Sequence, residues 1–392
     1  MKDNFLRKDE KQNKKAKITA VCAITSIVFV LIIFGVLVLS VITPDREKSE
    51  SENRVLKQFP SATLSSIFDG TFMKNFETYL NDQFPFRDKL ITFKSGFERM
   101  LGKTEENGIY IGKDNFLFEA PAKAEKEKLK ELTDSAAKFS RSNKKLKKAF
   151  ILSPNASDIL TDKLPDRLRI EDRSAAFSTV KKALSSFSWI DCKAIFEKQK
   201  EKENLFYRTD HHWTTRAAYL AFKNLSAQWK LGASDKNYSF YTVSDSFQGT
   251  LASTAAVNDT ADIIEICVPN GQSGKYTVLY ESSGRKTATF FEKEKLSQKN
   301  QYEVFLGGNY DKVLISTAAE TTAALLVFKD SYANCLLPML TPYFSKIVVI
   351  DPRYFSDSLK GVMGEIQFTH VLFIYNMDTF LKDASLAATL ES

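Results

Sequence analysis

The sequence predicts an α/β domain built on a parallel sheet, carrying a β-rich insertion and preceded by one membrane-spanning helix. Three observations carry that expectation. Residues 18–44, "ITAVCAITSIVFVLIIFGVLVLSVITP", form one uncharged apolar run. Apolar strands alternate with amphipathic helical stretches between about 126 and 229 and again from 323 onward, a pattern that puts helices on both faces of a parallel sheet. Between these blocks, about 232–322 is a series of β-branched and aromatic runs split by turn residues, such as "SFYTV", "DIIEICV", "YTVLY" and "KVLIST".

Residues 1–17 are a basic tail: Lys2 to Lys17 hold seven Lys/Arg against three Asp/Glu. The apolar run behind it exceeds the roughly 20 residues that cross a bilayer as a helix. It is too long for the apolar core of a cleaved signal, about 7–15 residues, and no small-residue cleavage pattern closes it. The expectation is an uncleaved signal-anchor over 18–44, single-pass in the cell membrane. The basic flank puts 1–17 in the cytoplasm and the rest of the chain outside. The net charge of +7 is thus concentrated in the tail, leaving no nucleic-acid footprint on the remainder. Cys22 lies in the span, and Cys192, Cys267 and Cys335 are widely separated with no C-x-x-C pair. That spacing gives neither a disulfide scaffold nor a zinc knuckle, so each reads as a small buried apolar residue.

Residues 45–60, opening on "DREKSESENR", are polar and read as a linker ahead of a domain over 61–392. From 61 to about 102 apolar residues recur at helical spacing, with a break at Pro85, which disfavours helix at the residue before it. "GIYIGKDNFLFE" (108–119) reads as a hairpin around Gly112, Asp114 and Asn115. The alternation then runs helix "EKEKLKELTDSAAKFSRSNKKL", strand "KAFILSP", helix "RSAAFSTVKKALSSF", strand "SWIDC" and helix "TTRAAYLAFKNLSAQW". After the insertion come strand "AALLVF", a helix from Tyr332, strand "KIVVID", a helix near 357–366 and strand "HVLFIY".

Two stretches offer chemistry. In "AALLVFKDSYANC" the apolar strand ends at Phe328 and a helix is expected directly after Asp330-Ser331. A serine there sits at the carboxyl edge of the sheet, where α/β proteins place ligands, beside a helix N-terminus that favours negative charge. The G-x-S-x-G pattern of a nucleophile elbow is absent, and a helix cap is the plain alternative for either residue. The second stretch is "RTDHHWTT", which holds two of the three histidines behind Asp210. A serine nucleophile needs an imidazole base, and the base needs a carboxylate to orient it. In an extended segment residues i and i+2 project to one side, which pairs Asp210 with His212 and sends His211 the other way, into a structural role. His370 is the remaining competitor and has no adjacent acid. Metal binding by the doublet is disfavoured, because adjacent histidines diverge on a strand and no His-x-x-x-His segment accompanies them.

The same residues carry a resemblance. "YRTDHHWTTRAAY" resembles the signature of the DHHW protein family, which is similar to the SGNH-hydrolase-like catalytic domains of alginate O-acetyltransferases of the X and J types. "SENRVLKQFP", "DGTFMKNFETYLNDQFPFRD", "GIYIGKDNFLFE" and "FKDSYANCLLPMLTPYFSKIVVIDPRY" extend it over most of the chain beyond the span. The resemblance implies a flavodoxin-like three-layer SGNH fold in circularly permuted order. It implies Ser331 as nucleophile, His212 as base and Asp210 as the orienting acid. The glycine usual before Asp-Ser is replaced by Lys329, so the turn has to form without it. Oxyanion donors are the Ser331 N–H and Asn376, with Asn334 a weaker choice, and Arg353 and Tyr354 are expected to line the pocket.

The implied function is a membrane-anchored, extracytoplasmic O-acyltransferase, chiefly O-acetyl, acting on a cell-surface or exported polysaccharide through an acyl-enzyme. No metal or organic cofactor is needed. Acetyl-CoA is absent outside the membrane, so the family implies a membrane-bound O-acyltransferase partner as acyl donor. A carbohydrate esterase with the same residues and a non-catalytic polysaccharide-binding or assembly protein are the alternatives.

Overall fold

The computed structural model describes residues 2–49, 51–52, 54–166, 168, 170–271 and 275–392, in two compact units, Met1–Lys94 and Ser95–Ser392. In the first, α1 (Lys2–Ile42) is one continuous helix whose apolar part, Lys17–Ile42, spans 26 residues with none of them buried. At about 1.5 Å per residue that part is long enough to cross a membrane. The chain after it folds back at once: β1 (Lys48–Ser49) pairs with β2 (Arg54–Val55). The helices α2 (Leu64–Phe68), α3 (Thr71–Asp82) and α4 (Arg87–Met100) follow, with the break between α3 and α4 at Pro85 as expected. Residues 45–60 are held to these helices by polar contacts. Arg54 meets Asp82 at 2.5 Å and Arg87 meets Glu52 at 2.5 Å.

The second unit begins at Ser95, within α4, and its first sheet is three-stranded and antiparallel, β3 (Glu105–Glu106), β4 (Ile109–Ile111) and β5 (Leu117–Glu119). Its hairpin turn uses Asp114 and Asn115 at φ 54° and 62°, short polar residues that tolerate the left-handed region. The alternating block is α5 (Lys126–Ser142), β6 (Lys147–Ser153), α6 (Ala156–Ile159), α7 (Ser174–Ala183), β7 (Ser188–Ile190), α8 (Cys192–Gln199) and α9 (Thr215–Trp229). The insertion supplies β8 (Tyr238–Phe247), α10 (Thr250–Ala255), β9 (Asp262–Pro269), β10 (Tyr276–Tyr280), β11 (Arg285–Thr287) and β12 (Lys312–Thr317). The chain closes with β13 (Ala324–Lys329), β14 (Lys346–Ile350), α11 (Leu359–Glu365), β15 (His370–Asn376), α12 (Met377–Lys382) and α13 (Leu386–Glu391).

The main sheet has eight strands in the order β11-β10-β12-β14-β13-β15-β6-β7. The strands from β14 to β7 are parallel, whereas β12, β10 and β11 join antiparallel. The sheet is therefore mixed where a parallel one was expected. The inserted strands return without a crossover helix, so they can only add antiparallel at the β14 edge. β8 and β9 pair separately. Along β13, Leu325 and Val327 enter one core cluster while Leu326 and Phe328 enter the other, the period of two expected of a strand buried on both faces. Aromatic packing is dense on the second face, where Phe150 stacks on Phe373 at 5.4 Å and Phe328 lies 4.8 Å from it. The expected helix from Tyr332 is instead two 3-10 turns, Ser331–Cys335 and Leu337–Leu340. Pro338 lacks the N–H an α-helix would need there.

Candidate active site

β13 delivers Asp330 and Ser331 to the carboxyl edge of the sheet. Asp330 is fully buried; one carboxyl oxygen accepts the Tyr332 N–H at 2.9 Å and the other the Asn376 N–H at 2.7 Å. It thereby ties the serine turn to the end of β15. Burial pushes this carboxyl up to about 6, against the backbone donors. Lys329 is not among the residues at positive φ, so the missing glycine costs the turn nothing. Its side chain is buried, with Nζ 2.8 Å from Asn309, 2.9 Å from Asn334 and 3.4 Å from Asp351. Burial pushes the Lys329 ammonium below its ordinary range, with the Asp351 charge opposing.

Residues 208–213 supply the rest. Asp210 Oδ1 accepts the His212 backbone N–H at 3.0 Å and faces His212 Nδ1 at 2.5 Å, while Oδ2 accepts the Thr250 N–H at 2.9 Å and its hydroxyl at 3.1 Å. His212 Nε2 lies 2.8 Å from Ser331 Oγ. Trp213 Nε1–H donates to the Tyr332 carbonyl at 2.8 Å, fastening the histidine loop to the serine turn. Burial works to raise the Asp210 carboxyl, but the His211 and His212 rings and the hydrogen bonds outweigh it and hold it well below the usual carboxylate range. Burial, then the neighbouring His211, pushes His212 down to about 4 against the pull of Asp210. At neutral pH the imidazole is neutral. Asp210 fixes the proton on Nδ1 and leaves the Nε2 lone pair toward the serine hydroxyl.

His211 does not turn away. Its ring lies 4.0 Å from the His212 ring, its Nδ1 is 2.8 Å from Thr250 Oγ1, and it lines a cleft of about 450 Å³. Asp210 and His212 are brought together, but His211 stays beside them because 208–212 is a bend and not an extended strand. Tyr332, Arg353, Asn376 and Asp378 line the same cleft. Asn376 caps α12 through its Oδ1, and its amide donates to Asn155 at 3.2 Å and to the Ser153 carbonyl at 3.4 Å. Arg353 grips Asp351 through two bonds of 2.8 and 2.7 Å. Tyr354 is exposed beside it and not among the cleft residues. Asn334 faces Lys329, and His370 lies at the opposite end of the sheet against Trp229.

The ligand atoms of Asp210, His211 and His212 all fall within 4.8 Å of one another, so among the described residues these three could face a cation together. Both His212 nitrogens already have partners, Asp210 and Ser331, so an ion would have to break that line. Three contributors escaped the sequence reading. Thr250 holds Asp210 from the insertion. A Cβ on Gly249 would meet the Asp210 side chain at 2.2 Å. The Tyr302 ring stacks on His212 at 3.7 Å. "QGT" and "NQYEV" carry no local mark of that service; only the fold brings them here.

The fold is an SGNH hydrolase-like α/β fold. Residues 109–300 match the family model of the SGNH hydrolase-like domain of acetyltransferase AlgX, so the resemblance read from the motifs holds. That segment includes Asp210 and His212 but ends before Ser331. No curated protein matches the chain. Among solved structures, a DHHW family protein from Eubacterium siraeum is 20% identical with a TM-score of 0.62, over 73% of this chain and 96% of that one. Bacillus cereus PatB1, solved with a sulfonyl adduct, is 16% identical with a TM-score of 0.60, over 71% of this chain and 98% of that one. At these identities the likeness is one of fold.

Proposed function

We propose that the chain is a membrane-anchored O-acyltransferase, chiefly O-acetyl, whose domain over 61–392 works outside the cell membrane on a cell-surface or exported polysaccharide. The single observation that carries the reading is the line from Asp210 Oδ1 through His212 to Ser331 Oγ, with steps of 2.5 and 2.8 Å. Ser331 Oγ attacks the donor's acyl carbon as its proton passes to His212 Nε2. The charge that develops on the carbonyl oxygen is met by the Ser331 N–H. Asn376 is the second candidate donor, and one of its amide hydrogens has to leave Asn155 or Ser153 to serve. Collapse releases the deacylated donor with the proton from Nε2 and leaves an ester on Ser331. A sugar hydroxyl then gives its proton to Nε2 and attacks that ester, and collapse releases the acylated sugar as the proton returns from Nε2 to Ser331 Oγ. Arg353, on the cleft wall, would meet the glycan, and the exposed Tyr354 lies outside the cleft beside it. The acyl group comes from a membrane-bound O-acyltransferase partner, since the donor pool lies on the other side of the bilayer.

The test uses the purified full chain with an activated acetyl ester, with and without a glycan acceptor. Acetyl transfer to the glycan, with an acetyl-serine trapped at residue 331, is the expected result. Hydrolysis that no acceptor alters would make the protein an esterase, and the absence of any acyl-serine would remove the mechanism.

A further inference from the structure

The helix α4 carries a face that nothing described covers. Phe86, just ahead of it, and Leu90 and Phe93 in its first two turns are all exposed, with Phe93 at 73%. Their spacing puts them on one stripe about 60° wide, and Lys89 and Lys94 border that stripe on either side, both exposed. An apolar stripe of this size is rare on a surface that meets only water.

What it meets follows from its tether. α1 ends at Ile42, and only three and four residues later Asp45 and Arg46 are fastened to the helices. The Tyr79 hydroxyl donates to Asp45 at 3.0 Å, the Arg46 N–H donates to Gln83 at 2.9 Å, and the Arg46 guanidinium meets Asp88 at 2.9 Å. Four residues reach at most about 14 Å, so Arg46, whose guanidinium grips Asp88 at the start of α4, lies within that distance of the end of the apolar span. Charge does not drive the contact: over residues 45–94, eight Lys/Arg balance eight Asp/Glu. An apolar stripe edged by lysines is the form of a helix lying in a bilayer interface, with lysine stems reaching back to water.

We infer that the apolar stripe of α4 lies in the lipid interface of the membrane that α1 crosses, on the outer side. This rests on α1 being a membrane span and is independent of the chemistry at Ser331. The face is a second attachment that stops the tethered chain from swinging freely on a single helix.

The experiment uses the full chain in which Cys22→Ala removes the exposed thiol, with Phe93→Cys or Leu90→Cys carrying an environment-sensitive fluorophore. The chain is reconstituted in vesicles of phosphatidylcholine alone or mixed with phosphatidylglycerol. Lipids bearing a nitroxide near the headgroup are expected to quench both labels severalfold more than aqueous iodide, equally in the two lipid mixtures. Stronger quenching by iodide places the face in water and overturns the inference. Crosslinking between labelled copies assigns the face to a second chain, and quenching confined to the anionic vesicles makes the contact electrostatic; either overturns it. As a check that needs no substitution, a headgroup-proximal photoreactive lipid should mark residues 86–94 of the unaltered chain, and an absence of adducts there is equally fatal. Loss of the acetyl-serine with lipid contact intact would remove the proposed chemistry and leave this inference standing.

Discussion

His212 and His370 are a matched pair with opposite surroundings. Both are buried, and burial pushes both down to about 4, with His211 adding to the effect on one and Lys147 on the other. His212 stands at the carboxyl edge between a carboxylate and a hydroxyl. His370 opens β15 at the amino edge, its Nδ1 2.8 Å from Thr369 Oγ1 and its ring 4.8 and 5.1 Å from Trp229 and Phe344. A displaced pKa therefore marks only desolvation, and functional sites are one of several places where that occurs. The pair is separated by direction: one ring has a carboxylate on one nitrogen and a serine hydroxyl on the other, and its counterpart packs against aromatics.

The sharpest break in the comparison comes from removing the groups on the His212 side. Ser331→Ala and His212→Ala should each lower acetyl turnover by about a thousandfold or more, measured as initial rate on an activated ester. His370→Ala should leave that rate in place and cost about 1–3 kcal/mol in denaturant unfolding. Asp210→Asn should lose about 10³–10⁴-fold, because the amide no longer holds the proton on Nδ1; a loss under tenfold would show that His212 is oriented by something else. Gly249→Ala should cost turnover about a hundredfold by pushing Asp210 out of line, together with about 1–3 kcal/mol for the forced shift. His211→Ala should have a smaller effect, on the order of tenfold, since its ring braces His212 without touching Ser331.

The smallest effect is in the pH dependence. His212 has to be neutral to accept a proton, so turnover should hold through pH 5 and fall as pH drops through about 4, where an unperturbed imidazole would fail near 6.5. Stability follows the same sign. The unfolded chain takes up protons below about 6.5 that both buried rings refuse until about 4, so stability is complete above that window and declines on acidification through it. His370→Gln should flatten the slope between pH 6 and 4 while the acid limb of turnover stays in place. A turnover limb that moves with it would mean that His370 is coupled to the site.

Much of this was legible because β13, β14, β15 and β6 are buried on both faces and read as apolar runs, and because Asp210, His212 and Ser331 lie in short stretches rich in chemistry. The rest depends on pairings distant in the chain. Strand β12 joins β14 antiparallel across about 30 residues, and no local pattern announces that choice. His211 was misplaced because a rule for extended chain was applied to a bend. Lys329 looked like a defect in the nucleophile turn; its aliphatic stem and buried ammonium instead serve Asn309, Asn334 and Asp351. The service of Thr250 and Tyr302 is visible only once the insertion has folded over Asp210 and His212.

The chain order of the site has a consequence for biogenesis. Acid and base sit together at 210–212, their brace at Thr250 comes next, and the serine follows His212 by 119 residues. In the proposed mechanism, export of the domain in chain order delivers Asp210 and His212 well before Ser331. The line through these residues is complete only when β13 has joined β14 and β15 in the middle of the sheet. Labelling of Ser331 by an acylating reagent would therefore time the closing of that sheet.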